Sequence, residues 1–285
     1  MTDTLASSAR EERIETQGGL KIHVRSWRPD VPARAVIAIC HGVKSHSGYY
    51  AWAAEQLTRA GFAVYALDLR GRGQSDGPRL YVDHVGEYLA DVDAMLAHAR
   101  SRDPGLPGYR FGHSAGGVVS CTYALDHQAE LAGLICESFA YKVYAPGFVL
   151  TVVKWLSRIA PRLPVLRLKT ADFSRDPAVV QAMIDDPLGV HREAQPAATV
   201  AALVGATERL AREFPLIKLP VLILHGTADR VTQPAGSREF HGAAGSADKT
   251  LKLYDGHAHD LLSDYGREQV MADVTAWLDA HVSTS

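Results

Sequence analysis

The chain has 285 residues, 47% of them hydrophobic and 22% charged, with a formal net charge of -2. That length carries one large domain or a domain with a sizeable insertion, and the charge balance gives no bulk attraction to nucleic acid or anionic lipid. The opening stretch MTDTLASSAREER is polar, without the apolar centre of a signal peptide, and no later run is long and apolar enough to span a bilayer.

In chain order, a polar tail over residues 1–10 precedes LKIHVRSW, which alternates as a half-buried strand does, and Pro29 and Pro32 then mark a turn. AVIAIC is a short β-branched apolar run, expected as a strand covered on both faces. A helix is expected from Ala51 to Ala60, stopped by Gly61, followed by a second buried strand in FAVYALDL. Val85, Leu89, Val92 and Leu96 give helical spacing over 84–100, and YRFGHS is a strand running into a sharp turn. A helix from Ala115, the strands LAGLICE, VLILHG and TLKLY, and a final helix to about Val282 complete the series. This rhythm predicts an α/β fold: a mostly parallel sheet with helices on both faces. One region interrupts it. Residues 140–210 show only helical stretches separated by prolines, so the expected organisation is a core of 11–139 and 211–285 with a helical cap at 140–210. Cys40, Cys121 and Cys136 sit in apolar runs, which reads as buried thiols in a reducing, cytoplasmic setting.

The chemistry gathers at strand ends. Gly112-His113-Ser114-Ala115-Gly116 is a G-x-S-x-G between a strand and a helix, where a serine is forced outward on strained backbone. It is no phosphate loop, because no lysine precedes the serine. A nucleophilic serine needs a base and an acid that orients it. Asp229 in the loop after VLILHG and Glu137 at the end of LAGLICE are the two candidate acids, and the chain order Ser, Asp, His favours Asp229. Oxyanion donors are expected at the amides of Val43, after AVIAIC, and Ala115. Two histidines, His257 and His259, compete for the base, and they lack the neighbouring ligands of a zinc site. Neither metal nor cofactor is expected.

His41-Gly42 through Tyr50, DLRGRGQSDG (Asp68 to Gly77), GHSAGG, HGTADRV and YDGHAH occur in one order. That combination resembles the monoacylglycerol lipases and their lysophospholipase-like relatives in the α/β-hydrolase superfamily. The resemblance extends into FSRDPAVVQAMIDDPL (Phe173 to Leu188). It implies that His259, three residues after Gly256, is the base, with His257 on the pocket rim. It also implies a substrate wall from His41, Gly42, Lys44, His46, Tyr49, His113 and Glu137. Lys44, Ser45 and Tyr49 stand where that family usually has glycine, glutamate and arginine, and Ala115 where it usually has methionine.

In FVLTVVKWLSRI, only Thr151, Lys154, Ser157 and Arg158 are polar. Such a helix can cover an acyl tunnel, with Phe148 and Val152 expected along it, and also touch a lipid surface; the alternative is that its apolar face packs against the main domain. The expected partner is a small ester with an apolar acyl or aryl part. A carboxylesterase for other apolar or aromatic esters is the nearest alternative, and a non-catalytic ligand-binding protein of the same fold is the alternative from another class. Leaving group and oligomeric state stay open.

Overall fold

The computed structural model describes residues 9–282; most of the expected tail, residues 1–8, lies outside them. The first half runs β1 (Arg10–Glu15), β2 (Lys21–Trp27), β3 (Val36–Cys40), α1 (Ala51–Arg59), β4 (Ala63–Leu67), α2 (Val85–Arg102), β5 (Gly108–His113), α3 (Ala115–His127) and β6 (Gly133–Glu137). Then follow α4 (Gly147–Ile159), β7 (Pro164–Leu166), α5 (Pro177–Asp185), β8 (Gln195–Pro196) and α6 (Ala197–Glu213). β9 (Val221–Gly226), α7 (Pro234–Ala243), β10 (Lys249–Tyr254) and α8 (Arg267–His281) complete the chain.

Eight strands form one sheet in the order β1-β2-β4-β3-β5-β6-β9-β10. At one edge β1 pairs antiparallel with β2, and β2 antiparallel with β4; every other pairing in the sheet is parallel. The period-two geometry of a strand divides the buried residues between two faces. In β3, Ile37 and Ile39 pack with α1 and α8, through Leu57, Met271, Val274 and Leu278. Val36, Ala38 and Cys40 pack with α2 through Val92, Met95 and Leu96. α2 starts on a capping box in which Glu87 answers His84, and it ends with Arg100 and Arg102 at its negative pole.

Three expectations need correction. Arg10 already belongs to β1, a strand whose REERIE sequence is too charged to read as buried; charge on an edge strand blocks pairing with other chains. The 140–210 segment is not purely helical, since β7 and β8 form a short antiparallel ladder there. Its far boundary also moves: residue 210 falls inside α6, and Ala206 and Leu210 pack in one cluster with Val118 of α3 and Phe214.

Candidate active site

The loops after β3, β5, β9 and β10 lie at the carboxyl ends of parallel strands, the usual place for chemistry in an open α/β sheet. Ser114 occupies the turn between β5 and α3 with φ 55° and ψ -120°, a region a non-glycine residue enters only under constraint. The constraint is visible in its neighbours. A Cβ on Gly116 would lie 2.1 Å from the Cys40 carbonyl oxygen, and one on Gly112 2.6 Å from that of Gly116. Only glycine lets strand and helix approach so closely.

Asp229 and His259 meet behind this turn. His259 Nδ1 lies 2.7 Å from Asp229 Oδ2, and both side chains are buried. His259 Nε2 is buried and has no partner among the described residues. The carboxylate is locked from several sides. The Val231 and Thr232 amides donate to Oδ1 at 2.7 and 2.9 Å, the Thr232 hydroxyl donates to Oδ2 at 2.8 Å, and His225 Nε2 stands 3.0 Å away. Burial alone would raise the Asp229 pKa, but His259 and these donors hold it well below the usual carboxylate range. The loop carrying His259 is pinned as well: Ser138 Oγ donates to the His259 carbonyl at 2.6 Å, and Glu137 Oε1 accepts from the Leu262 amide at 3.2 Å.

Ser114 opens into a cavity of about 550 Å³. Val43 and Ala115 line it beside the serine. Among the described residues the Val43 amide has no acceptor, and the Ala115 amide belongs to the first turn of α3, where no intrahelical acceptor exists. The Val43 carbonyl is held by Arg72 Nε at 3.3 Å and Gln195 Nε2 at 3.4 Å. Val149, Leu150 and Val153 of α4 and Val200 and Leu203 of α6 make the far walls greasy.

A family model described as serine aminopeptidase, S33, matches residues 31–266. The chain belongs to this family. This hydrolase is 32% identical over 280 residues to a monoacylglycerol lipase of Mycolicibacterium smegmatis, covering 98% of this chain and 100% of that one. It is 29% identical to the human monoglyceride lipase, covering 94% and 89% of the two chains. A solved monoacylglycerol lipase from Paleococcus ferrophilus superposes with a TM-score of 0.83 at 31% identity, over 91% of this chain and 99% of that one. The resemblance read from the motifs therefore holds, and the fold is the α/β-hydrolase fold.

Within this hydrolase, the residues expected as a substrate wall sit elsewhere. None of His41, Gly42, Lys44, His46, Tyr49, His113, Glu137, Phe148 and Val152 lines the cavity. His41 is buried, with Nδ1 donating to the Gly42 carbonyl at 2.7 Å and Nε2 accepting from the Leu69 amide at 3.0 Å. Gly42 instead leaves room for the turn that carries Ser114, since a Cβ there would lie 3.0 Å from Ser114 Cβ. Lys44 turns away into the insertion and donates to the Leu168 carbonyl at 3.0 Å and Thr170 Oγ1 at 2.9 Å. His46 Nε2 meets Asp186 at 2.6 Å, and the Tyr49 ring packs on His46 at 4.5 Å. These three side chains fasten the loop after β3 to the insertion.

His113 and Glu137 form a buried cluster behind the serine. His113 Nε2 lies 3.0 Å from Asp260 Oδ1, off the line of a hydrogen bond, and its ring is 4.9 Å from that of His259. Burial raises the Glu137 pKa to about 7, against the opposing pull of His113. Phe148 and Val152 face outward, 72% and 49% exposed, because one step along a helix turns a side chain by about 100°. His257 misses the rim too, its ring packing beside Tyr254 at 5.4 Å. His113, His259 and Asp260 also bring ligand atoms within 4.8 Å of one another. Sequence reasoning missed His225, Thr232 and Gln195, whose only signal is their closeness in sequence to strand ends.

Proposed function

We propose that the chain hydrolyses carboxylic esters through an acyl-enzyme on Ser114, with a monoacylglycerol or similar lipid monoester as substrate. The observation that carries this is the buried His259–Asp229 bond beside a serine held at positive φ at the floor of an apolar cavity. Ser114 Oγ attacks the ester carbonyl carbon while His259 Nε2 takes its proton, and Asp229 steadies the resulting imidazolium. The Val43 and Ala115 amides receive the oxyanion, each contributing about 3 kcal/mol. His259 then returns the proton to the leaving alkoxide. Water, activated by the same nitrogen, releases the acid and restores the serine. The chain order and the backbone geometry support Asp229 as the acid; Glu137 lies in the cluster around His113 instead.

The family model's description raises aminopeptidase chemistry as a rival. The cavity speaks against it. Among its lining residues there is no aspartate or glutamate to receive the α-ammonium group of a peptide. The named activities of the relatives support the ester reading and the lipid substrate.

In this reading the insertion, from residue 140 to the end of α6, is the lid. Phe148, Val152, Trp155 and Ile159 recur at helical spacing on its outer face, 49–72% exposed, and this stripe touches the lipid surface from which substrate is drawn. No helix among the described residues is long and apolar enough to cross a membrane. Three buried free cysteines fit a cytoplasmic setting.

The test is hydrolysis of 1-monooleoylglycerol, p-nitrophenyl butyrate and an amino-acid p-nitroanilide by wild type and Ser114→Ala. The proposal expects both esters to be cleaved by wild type alone. Cleavage of the anilide in preference to the esters would assign the peptidase reading.

A further inference from the structure

The cavity walls hold two cations, Lys142 and Arg230, and no acidic side chain among the described residues. They share one wall. Val143 bridges to Thr232, the Gln233 amide donates to the Lys142 carbonyl at 2.9 Å, and Gln233 Nε2 donates to the Val143 carbonyl at 2.7 Å. The two cations differ in what neutralises them. Lys142 is paired with Glu239. Arg230 is exposed, and among the described residues no carboxylate pairs with it. Its sequence neighbour Asp229 is taken up by the inward donors of Val231, Thr232, His225 and His259.

An unpaired guanidinium among the residues lining a largely apolar cavity is free to receive an anion, because its planar fork of donors matches carboxylate and phosphate oxygens. We propose that Arg230 binds an anionic group on the substrate, so that the preferred monoesters carry a phosphate or carboxylate besides the ester being cleaved. The proposal rests on the ester-hydrolase reading above. The anion is a spectator: hydrolysis still adds one water across the ester and yields one acid and one alcohol. It enters either on the alcohol side, as in a lysophosphatidate, or on the acyl side, as in the monoester of a long dicarboxylic acid.

Two matched pairs separate those sources. One compares 1-oleoyl lysophosphatidate with 1-monooleoylglycerol, and the other compares the monoethyl ester of dodecanedioic acid with ethyl dodecanoate, all as monomers in solution. The readout is the anionic-to-neutral ratio of kcat/KM on a single preparation of the full chain, so partial misfolding cancels. The ratio should exceed one for at least one pair, fall about fivefold or more in Arg230→Gln, and fall further in Arg230→Glu. The pair that responds names the side carrying the anion. A ratio below one for both pairs, or one that neither substitution lowers, overturns the anion site. Failure to hydrolyse any of the four esters, or hydrolysis that survives Ser114→Ala, would contradict the underlying reading instead.

Discussion

His225 Nε2 stands 3.0 Å from Asp229 Oδ2, the same oxygen that His259 Nδ1 reaches at 2.7 Å. One carboxylate oxygen thus serves two buried imidazoles, and its orientation is fixed before substrate arrives. Asp229→Asn keeps the shape but loses the charge that steadies the imidazolium. It should leave the far-ultraviolet circular dichroism unchanged and lower kcat by about 10⁴-fold. His225→Asn removes one contact and should cost about tenfold in kcat with KM little changed. Steady-state kinetics on a p-nitrophenyl ester checks both.

The two histidines of GHAH separate cleanly by partner. His259→Ala should lower kcat by about 10⁴ to 10⁶-fold, as removal of a triad base does. His257→Ala, which alters packing beside Tyr254, should stay within about tenfold of wild type on the same scale. A dead His257 variant beside a working His259 variant would exchange their roles.

Acyl-chain preference is expected on the inner face of α4. Val153→Trp places bulk against the cavity wall and should depress turnover of long-chain esters about tenfold more than that of butyrate, the scale of an overpacking penalty of about 1–3 kcal/mol. Val152→Trp, on the exposed face, should leave the chain-length profile as it is. A chain-length series of p-nitrophenyl esters reads both.

Stability should depend on pH through the cluster behind the serine. Burial would lower the His113 pKa, but Glu137, Asp260 and Asp229 together raise it from 6.5 to about 9. A group held above its unfolded value contributes stability that is full below that unfolded value and lost as pH rises through the folded one. The Tm should therefore fall between pH 6.5 and about 9. Glu137, raised from 4.5 to about 7, acts with the same sign at lower pH. In His113→Asn the fall across the upper window should be shallower by several degrees. Equal slopes in the two proteins would remove His113 from the account.

What the sequence reveals tracks how local each determinant is. The buried strands declare themselves because both faces are covered, as in VIAIC and VLILHG. The turn at Ser114 is equally legible, since glycines at 112 and 116 answer a crowding set by adjacent residues and by β3. β1 hides because an exposed edge strand tolerates REERIE. The HGVKSHSGYY loop misleads for another reason. Its side chains point where Thr170 and Asp186 receive them, and those partners lie more than a hundred positions away. On α4, apolar residues surround the axis, so periodicity alone does not say that Val149 and Val153 face the cavity while Phe148 and Val152 face out.

The central claim is that Ser114 carries the acyl group. It is tested most directly by treating the full chain with a fluorophosphonate and mapping the adduct by peptide mass spectrometry, alongside Ser114→Ala and His259→Ala. The account predicts one adduct, on the peptide containing Ser114, absent in Ser114→Ala and formed far more slowly in His259→Ala. An adduct on any other residue, or ester hydrolysis at the wild-type rate in Ser114→Ala, would contradict it.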